Sequence, residues 1–264
     1  KEFSDKDQKP VLLEDRPLSQ IAEAFRSLHT NIEFAGTHGG PRSILVTSPG
    51  PSDGKTTVAV YLALAFAQSG KRVVLIDADL RRPGVHEYFG IQNAIGLSEI
   101  LMMDLTPEVV AYSTDITRLK VVTSGSQVKN PTELFQSINL LRVISLLMEQ
   151  ADVAIFDGPP LLVAEAFVLA SRLEGSLIVM QPGKTREGVA LAMKERLSRA
   201  QANMLGVVLN RIPPDQADPS AAYLYYDYNQ LDEEEGLIEQ AASSKRRRRT
   251  SLRQWLKKRS SKAS

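Results

Sequence analysis

Gly54-Lys55-Thr56-Thr57 follows the apolar run Ile44-Leu45-Val46 across a loop rich in Ser, Pro and Gly. Residues of these types, in this order, suit one kind of chemistry. The backbone N–H groups of a loop and a helix start converge on one spot, and the helix dipole favours an anion there. Lys55 can reach terminal phosphates, and the Thr56 hydroxyl can ligate Mg²⁺. The run reads as a phosphate-binding loop in which Ser52, Asp53, Gly54, Lys55, Thr56 and Thr57 hold a nucleotide. One position departs from the general pattern, which asks for Gly five residues before the Gly-Lys pair; this chain has Pro49.

Three acids support that reading. In VVLIDADLRRP (73–83), Asp77 and Asp79 close an apolar run, and in VAIFDGPP (153–160) Asp157 does the same. Ligands of open α/β sheets bind outside the carboxyl ends of the strands. An acid there can hold Mg²⁺ through water, opposite the phosphate loop. A single strand-end Asp is more often a helix cap. Three of them on two strands downstream of a phosphate loop favour the metal and phosphate reading. In GVVLNRI (206–212), Asn210 and Arg211 close the last apolar run, where an amide can hydrogen-bond an adenine edge.

The elements that must position these groups follow from periodicity. Strands are predicted at Ser43–Thr47, Arg72–Asp77, Leu119–Val122, Val153–Phe156, Ser176–Met180 and Gly206–Asn210. Helices are predicted at Lys55–Gln68, Pro131–Gln150, Ala164–Arg172 and Glu187–Gln201. A further helix over Pro17–Phe34 rests on Ile21, Phe25, Leu28 and Ile32 at helical spacing. Short apolar strands alternating with helices imply parallel βαβ units and a sheet covered on both faces. The expected fold class is α/β: a three-layer P-loop NTPase with a mostly parallel sheet. Its expected parts are a linker or arm (1–16), the nucleotide-binding domain (17–212), a Tyr-rich acidic segment (213–235) and a basic tail (236–264).

Composition agrees with one α/β domain. The chain has 264 residues, 43% of them hydrophobic, enough for one sizeable core. It has no cysteine, which fits a reducing compartment. It begins with Lys1, which fits a piece of a longer protein. Ten Lys/Arg and no Asp/Glu lie from Ala241 onward, so a whole-chain net charge of +1 leaves −9 on the other 240 residues.

Taken together, TSPGPSDGKTT, LIDADLR and IFDGPP resemble the Walker A, A′ and B runs of the bacterial tyrosine kinases (BY-kinases) of capsule and exopolysaccharide synthesis, a deviant branch of the P-loop ATPases. The related partition and division-site ATPases, of the ParA and MinD kind, carry a signature Lys four positions before the Gly of the Gly-Lys pair; this chain has Gly50 there. Arg81 also suits the kinase pattern. The resemblance implies ATP and Mg²⁺ as cofactors, with Lys55 on the β- and γ-phosphates. It implies Thr56, Asp79 and Asp157 around the ion, and Asp77 orienting or deprotonating the incoming Tyr hydroxyl. The roles of Asp77 and Asp79 can be exchanged at this stage.

Four of the seven tyrosines, Tyr223, Tyr225, Tyr226 and Tyr228, fall within YLYYDYN beside the acidic run Asp232–Glu235. The resemblance makes them phosphoacceptors, modified in trans by a neighbouring subunit. It also implies a ring or head-to-tail oligomer in which Glu23, Arg26 and His29 support assembly, His29 standing where the family has Arg. Further implied partners are a transmembrane polysaccharide co-polymerase-type activator, fused or separate, and a cognate tyrosine phosphatase. The implied location is the cytoplasmic side of the bacterial inner membrane. In the tail, Leu252, Trp255 and Leu256 would share a helical face among cations, which suits anionic lipid. Nucleic-acid binding through KRRRR would explain the tail but none of the strand-end acids. The competing reading is an ATPase switch that binds a membrane partner without phosphorylating protein.

Overall fold

The computed structural model describes residues 20–35, 40–103 and 105–212. The arm, the Tyr cluster, the acidic run and the basic tail lie outside the described residues.

The elements run α1 (Gln20–Phe34), β1 (Ser43–Thr47), α2 (Lys55–Gln68), β2 (Val73–Asp77), α3 (Val85–Phe89), α4 (Leu97–Met103), α5 (Pro107–Val110), β3 (Tyr112–Ser113), β4 (Leu119–Val122), α6 (Pro131–Gln136), α7 (Ile138–Gln150), β5 (Val153–Asp157), α8 (Ala164–Arg172), β6 (Gly175–Met180), α9 (Glu187–Arg199) and β7 (Met204–Leu209). The seven strands form one sheet in the order β3-β4-β2-β5-β1-β6-β7. Every pairing is parallel except β3 with β4.

Both faces are covered because strand side chains alternate. Val74, Ile76, Ala154, Phe156, Leu45 and Ile178 pack into one core with residues of α4 to α9. Ile44, Val46, Val73, Leu75, Val153 and Ile155 pack into the other with residues of α1, α2 and α3. All five residues of β1, β2 and β5 are buried. Their carboxyl ends lie side by side at the centre of the sheet, so the loops following these strands meet there. Among the described residues, no helix is long and apolar enough to cross a membrane.

The structure differs from the periodicity reading in three places. Between β2 and β4, where no element is predicted, it has three short helices and β3. Helices of four to seven residues complete too few turns to display a period. The helix predicted over Pro131–Gln150 is two helices, broken where Ser137 turns extended at ψ 154°. Apolar residues continue across the break, so spacing alone conceals it. The last strand spans Met204–Leu209, starting two residues and ending one residue earlier than predicted, and leaves Asn210 and Arg211 on the following loop.

Candidate active site

The loop between β1 and α2 is shaped by its own side chains. The Ser48 hydroxyl donates to the Gly50 carbonyl (2.6 Å), and the Gly50 N–H donates to Asp53 Oδ2 (3.0 Å). Ser52 at φ 62° and Gly54 at φ 90° both take left-handed backbone, separated by Asp53. Alternation of that kind turns successive N–H groups into an anion-binding nest. A Cβ on Gly54 would lie 2.1 Å from Asn210 Nδ2, so glycine is required there by close approach as well as by conformation.

Lys55, the first residue of α2, extends its ammonium between two carboxylates: Asp79 Oδ2 at 3.0 Å and Asp157 Oδ1 at 3.4 Å. The Thr56 hydroxyl donates to the other oxygen of Asp157 at 2.6 Å. Lys55, Thr56, Asp79 and Asp157 are thereby joined in one network. Burial by itself would lower the Lys55 pKa, but Asp157 and then Asp79 outweigh it and hold it above its ordinary value. Asp157 is raised by burial, against the opposing pull of Lys55 and Thr56.

Asp77 is engaged differently. Its Oδ2 accepts the N–H groups of Gly84 (2.9 Å) and Val85 (3.0 Å), and its Oδ1 accepts that of Asp79 (3.3 Å). The side chain therefore anchors the start of α3, and it is fully buried. Burial first, and the neighbouring Asp157 second, push its pKa up to about 7. A carboxyl poised near neutrality is suited to proton transfer.

A cavity of about 510 Å³ opens over this network, lined by Lys55, Thr56, Thr57, Asp79, Arg81, Arg82, Tyr88, Pro160, Leu162 and Arg211 among others. That is a size suited to a small-molecule ligand. No set of three or more His, Cys, Asp or Glu side chains among the described residues could hold a metal ion unaided. This fits Mg²⁺, which is usually held by one or two carboxylates together with substrate phosphates and water.

The remaining expected residues are placed as follows. Asp53 is buried on the loop, with Oδ1 2.6 Å from Lys184 Nζ. Thr57 shares a hydrogen bond with the Tyr88 hydroxyl (2.6 Å). Asn210 Nδ2 donates to the Asp53 carbonyl (2.9 Å), and Arg211 Nη1 to that of Ser52 (3.1 Å). Both side chains thus bond the phosphate loop, and Arg211 also lines the cavity. Glu23 and Arg26 pair on the exposed side of α1 at 2.6 Å. His29 leaves that face: it is buried edge-on against Phe66, with ring centroids 4.4 Å apart, and burial lowers its pKa. From position 23, position 29 lies more than a full helical turn on, which rotates it inward.

Two residues beside the site, Glu165 and Lys184, escape sequence reasoning. Arg81 pairs with the buried carboxylate of Glu165, which also accepts from the Thr132 hydroxyl at 2.9 Å. Lys184 reaches the phosphate loop from the turn after β6. Neither Glu165 nor Lys184 belongs to a motif that a scan of the chain would single out.

Comparison with known proteins shows the family and the fold. Residues 44–232 match the family described as the CobQ/CobB/MinD/ParA nucleotide binding domain. The tyrosine-protein kinase YwqD of Bacillus subtilis is 38% identical over 204 residues, covering 77% of this chain and 86% of the relative. The crystal structure of the chimerical protein CapA2B2 superposes with a TM-score of 0.74 at 33% identity, over 79% of this chain and 92% of that one. The kinase domain of the Escherichia coli tyrosine kinase ETK superposes with a TM-score of 0.72 at 30% identity, over 80% and 85%.

Proposed function

Because the chain belongs to the bacterial tyrosine kinases, a branch of the CobQ/CobB/MinD/ParA nucleotide-binding proteins, we propose that it transfers the γ-phosphoryl group of ATP to tyrosine hydroxyls of its own kind. The protein is a protein-tyrosine kinase with a P-loop nucleotide site. The observation that carries the finer reading is that Lys55 and Thr56 at the start of α2 meet Asp79, just after β2, and Asp157, at the end of β5. Bound Mg²⁺ and ATP would supply the phosphoryl group and neutralise the charge that develops on it. Thr56, Asp79 and Asp157 would hold the ion. Lys55, now shared between two carboxylates, would hold the β- and γ-phosphates. Asp77 would accept or orient the tyrosine proton. Positioning and charge neutralisation supply most of the catalysis in such transfers.

The acceptors in this reading are Tyr223, Tyr225, Tyr226 and Tyr228, presented to a neighbouring subunit in a ring or head-to-tail chain. Each phosphate adds nearly two negative charges to an already acidic segment, so successive transfers weaken docking and limit the cycle. The basic tail would hold the domain on anionic lipid beside a polysaccharide co-polymerase-type activator, at the cytoplasmic membrane face.

Radiolabelled ATP and an anti-phosphotyrosine blot test the transfer. Lys55→Met and Asp77→Asn should each abolish labelling, and normal labelling in either would remove the core of the proposal. Mixing Lys55→Met protein with a variant whose four cluster tyrosines are Phe tests the geometry. An unlabelled Lys55→Met chain would exclude transfer in trans. ATP hydrolysis without phosphotyrosine would favour a ParA- or MinD-like switch.

A further inference from the structure

Three consecutive carbonyls of the phosphate loop are each held by a side chain from the far end of the sequence. Lys184 Nζ donates to the Pro51 carbonyl (2.7 Å), Arg211 Nη1 to that of Ser52 (3.1 Å) and Asn210 Nδ2 to that of Asp53 (2.9 Å). In a trans peptide the C=O of one residue and the N–H of the next point in opposite directions, and the chain has no cis peptide among the described residues. Holding the carbonyls of Pro51, Ser52 and Asp53 toward these donors therefore turns the N–H groups of Ser52, Asp53 and Gly54 away from them.

The three donors are themselves fixed. The Lys184 N–H closes a turn onto the Gln181 carbonyl (3.2 Å) through Pro182 and Gly183, the latter at φ 77°. Its ammonium is also 2.6 Å from the buried carboxylate of Asp53. The Asn210 N–H donates to the Met180 carbonyl at 2.8 Å. Its Oδ1 accepts the Arg211 N–H at 3.0 Å, which fixes Nδ2 as the donor toward the loop. The turn after β6 and the loop after β7 thus brace the phosphate loop.

We propose that Lys184, Asn210 and Arg211 are positioning residues that preset the loop amides for phosphate, with Asn210 acting on the loop rather than on adenine. The proposal rests on the reading of the loop as the ATP site and separates from it experimentally. Binding is measured with three probes: ATP, inorganic tripolyphosphate and adenosine, the last as a competitor. Removing a hydrogen bond that orients the cradle should weaken ATP and tripolyphosphate alike, by about tenfold or more.

Lys184→Met and Asn210→Ala should both show that loss and leave adenosine within about twofold of wild type. Lys184→Arg, which keeps a cationic donor, should restore most of it. Asn210→Ala changes no charge, so its loss cannot come from a weaker field at the site. Unchanged tripolyphosphate affinity in both variants would overturn the proposal, as would an Asn210→Ala protein that loses adenosine and ATP but keeps tripolyphosphate. If Asn210→Ala does not fold, the half-exposed Lys184 variants decide the matter alone. A wild-type protein that binds neither ATP nor tripolyphosphate would instead sink the ATP-site reading itself.

Discussion

Asp77 and Asp157 are register partners on the neighbouring parallel strands β2 and β5, each the last residue of its strand and each fully buried. Two carboxyl groups brought together away from water cannot both ionise at their ordinary pKa. Lys55 and Thr56 compensate Asp157, and three backbone N–H groups compensate Asp77. Nucleotide binding would redistribute this charge, because Lys55 cannot serve phosphates and both carboxylates equally.

A pH dependence of stability follows. Burial, and next Asp157, push Asp77 up to about 7 in the fold, well above its unfolded value of 3.8. Between those values the folded state holds a proton that the unfolded state has released, so stability falls as pH rises through that window. His29 works in the opposite sense: burial lowers its folded pKa, so its contribution is lost as pH drops below the ordinary histidine value. Comparison with Asp77→Asn isolates the acid. Thermal melts of nucleotide-free protein should lose midpoint from pH 5 to pH 8, and the Asn variant should lose less. Parallel curves for the two proteins would contradict this assignment.

Lys55→Met should cost stability as well as activity. It leaves Asp79 and Asp157 buried without their cation. Breaking such a buried pair from one side costs on the order of 3–5 kcal/mol. Asp157, already raised by burial, can take up a proton as pH falls. The loss measured by urea melts should therefore be larger at pH 8 than at pH 5.5. An equal loss at the two pH values would mean that the carboxylates find another partner.

What was legible in the sequence was what is local. Each strand-end acid follows a continuous apolar run, and Gly-Lys-Thr opens a helix, so the loop, both acidic strands and the alternation of elements could be read from residue type and order. What was not legible depends on which loops meet. Lys184 lies more than a hundred residues from the carbonyl it holds, and Arg81 finds Glu165 only because α8 packs beside the loop after β2. His29 turns inward because α1 packs on α2, where Phe66 receives it. The short helices α3 and α4 owe their positions to carboxylates. Asp77 holds the start of α3, and Glu99 holds the loop before α4.

Glu99 offers a direct check of that last point. Its buried carboxylate accepts the N–H of Gly96 (2.7 Å), the hydroxyl of Ser98 (3.0 Å) and the N–H and hydroxyl of Ser126. These bonds tie α4 to the loop following β4. Burial would raise the Glu99 pKa, but the bonds from Ser126, Gly96 and Ser98 together lower it below its ordinary value. The stabilisation is therefore present above the unfolded pKa and lost as pH falls through the folded one. Glu99→Gln should cost about 1–3 kcal/mol at pH 7, with the difference from wild type shrinking below pH ~4. A constant difference across that range would mean that the charge contributes nothing.

The Glu23–Arg26 pair separates assembly from folding. Both side chains are more than a third exposed and three residues apart on α1. An exposed pair of this kind contributes about 0–1 kcal/mol. Replacing both by Ala should therefore leave the melting curve of the isolated subunit almost unchanged. If this face supports the proposed ring or chain, the same double variant should lower the mass measured by light scattering at high protein concentration. Phosphotyrosine formed between subunits should fall with it. His29, being buried, predicts a different pattern: His29→Ala should lower stability by cavity formation beside Phe66, whatever the concentration. A double variant with wild-type mass and wild-type labelling would remove α1 from the interface.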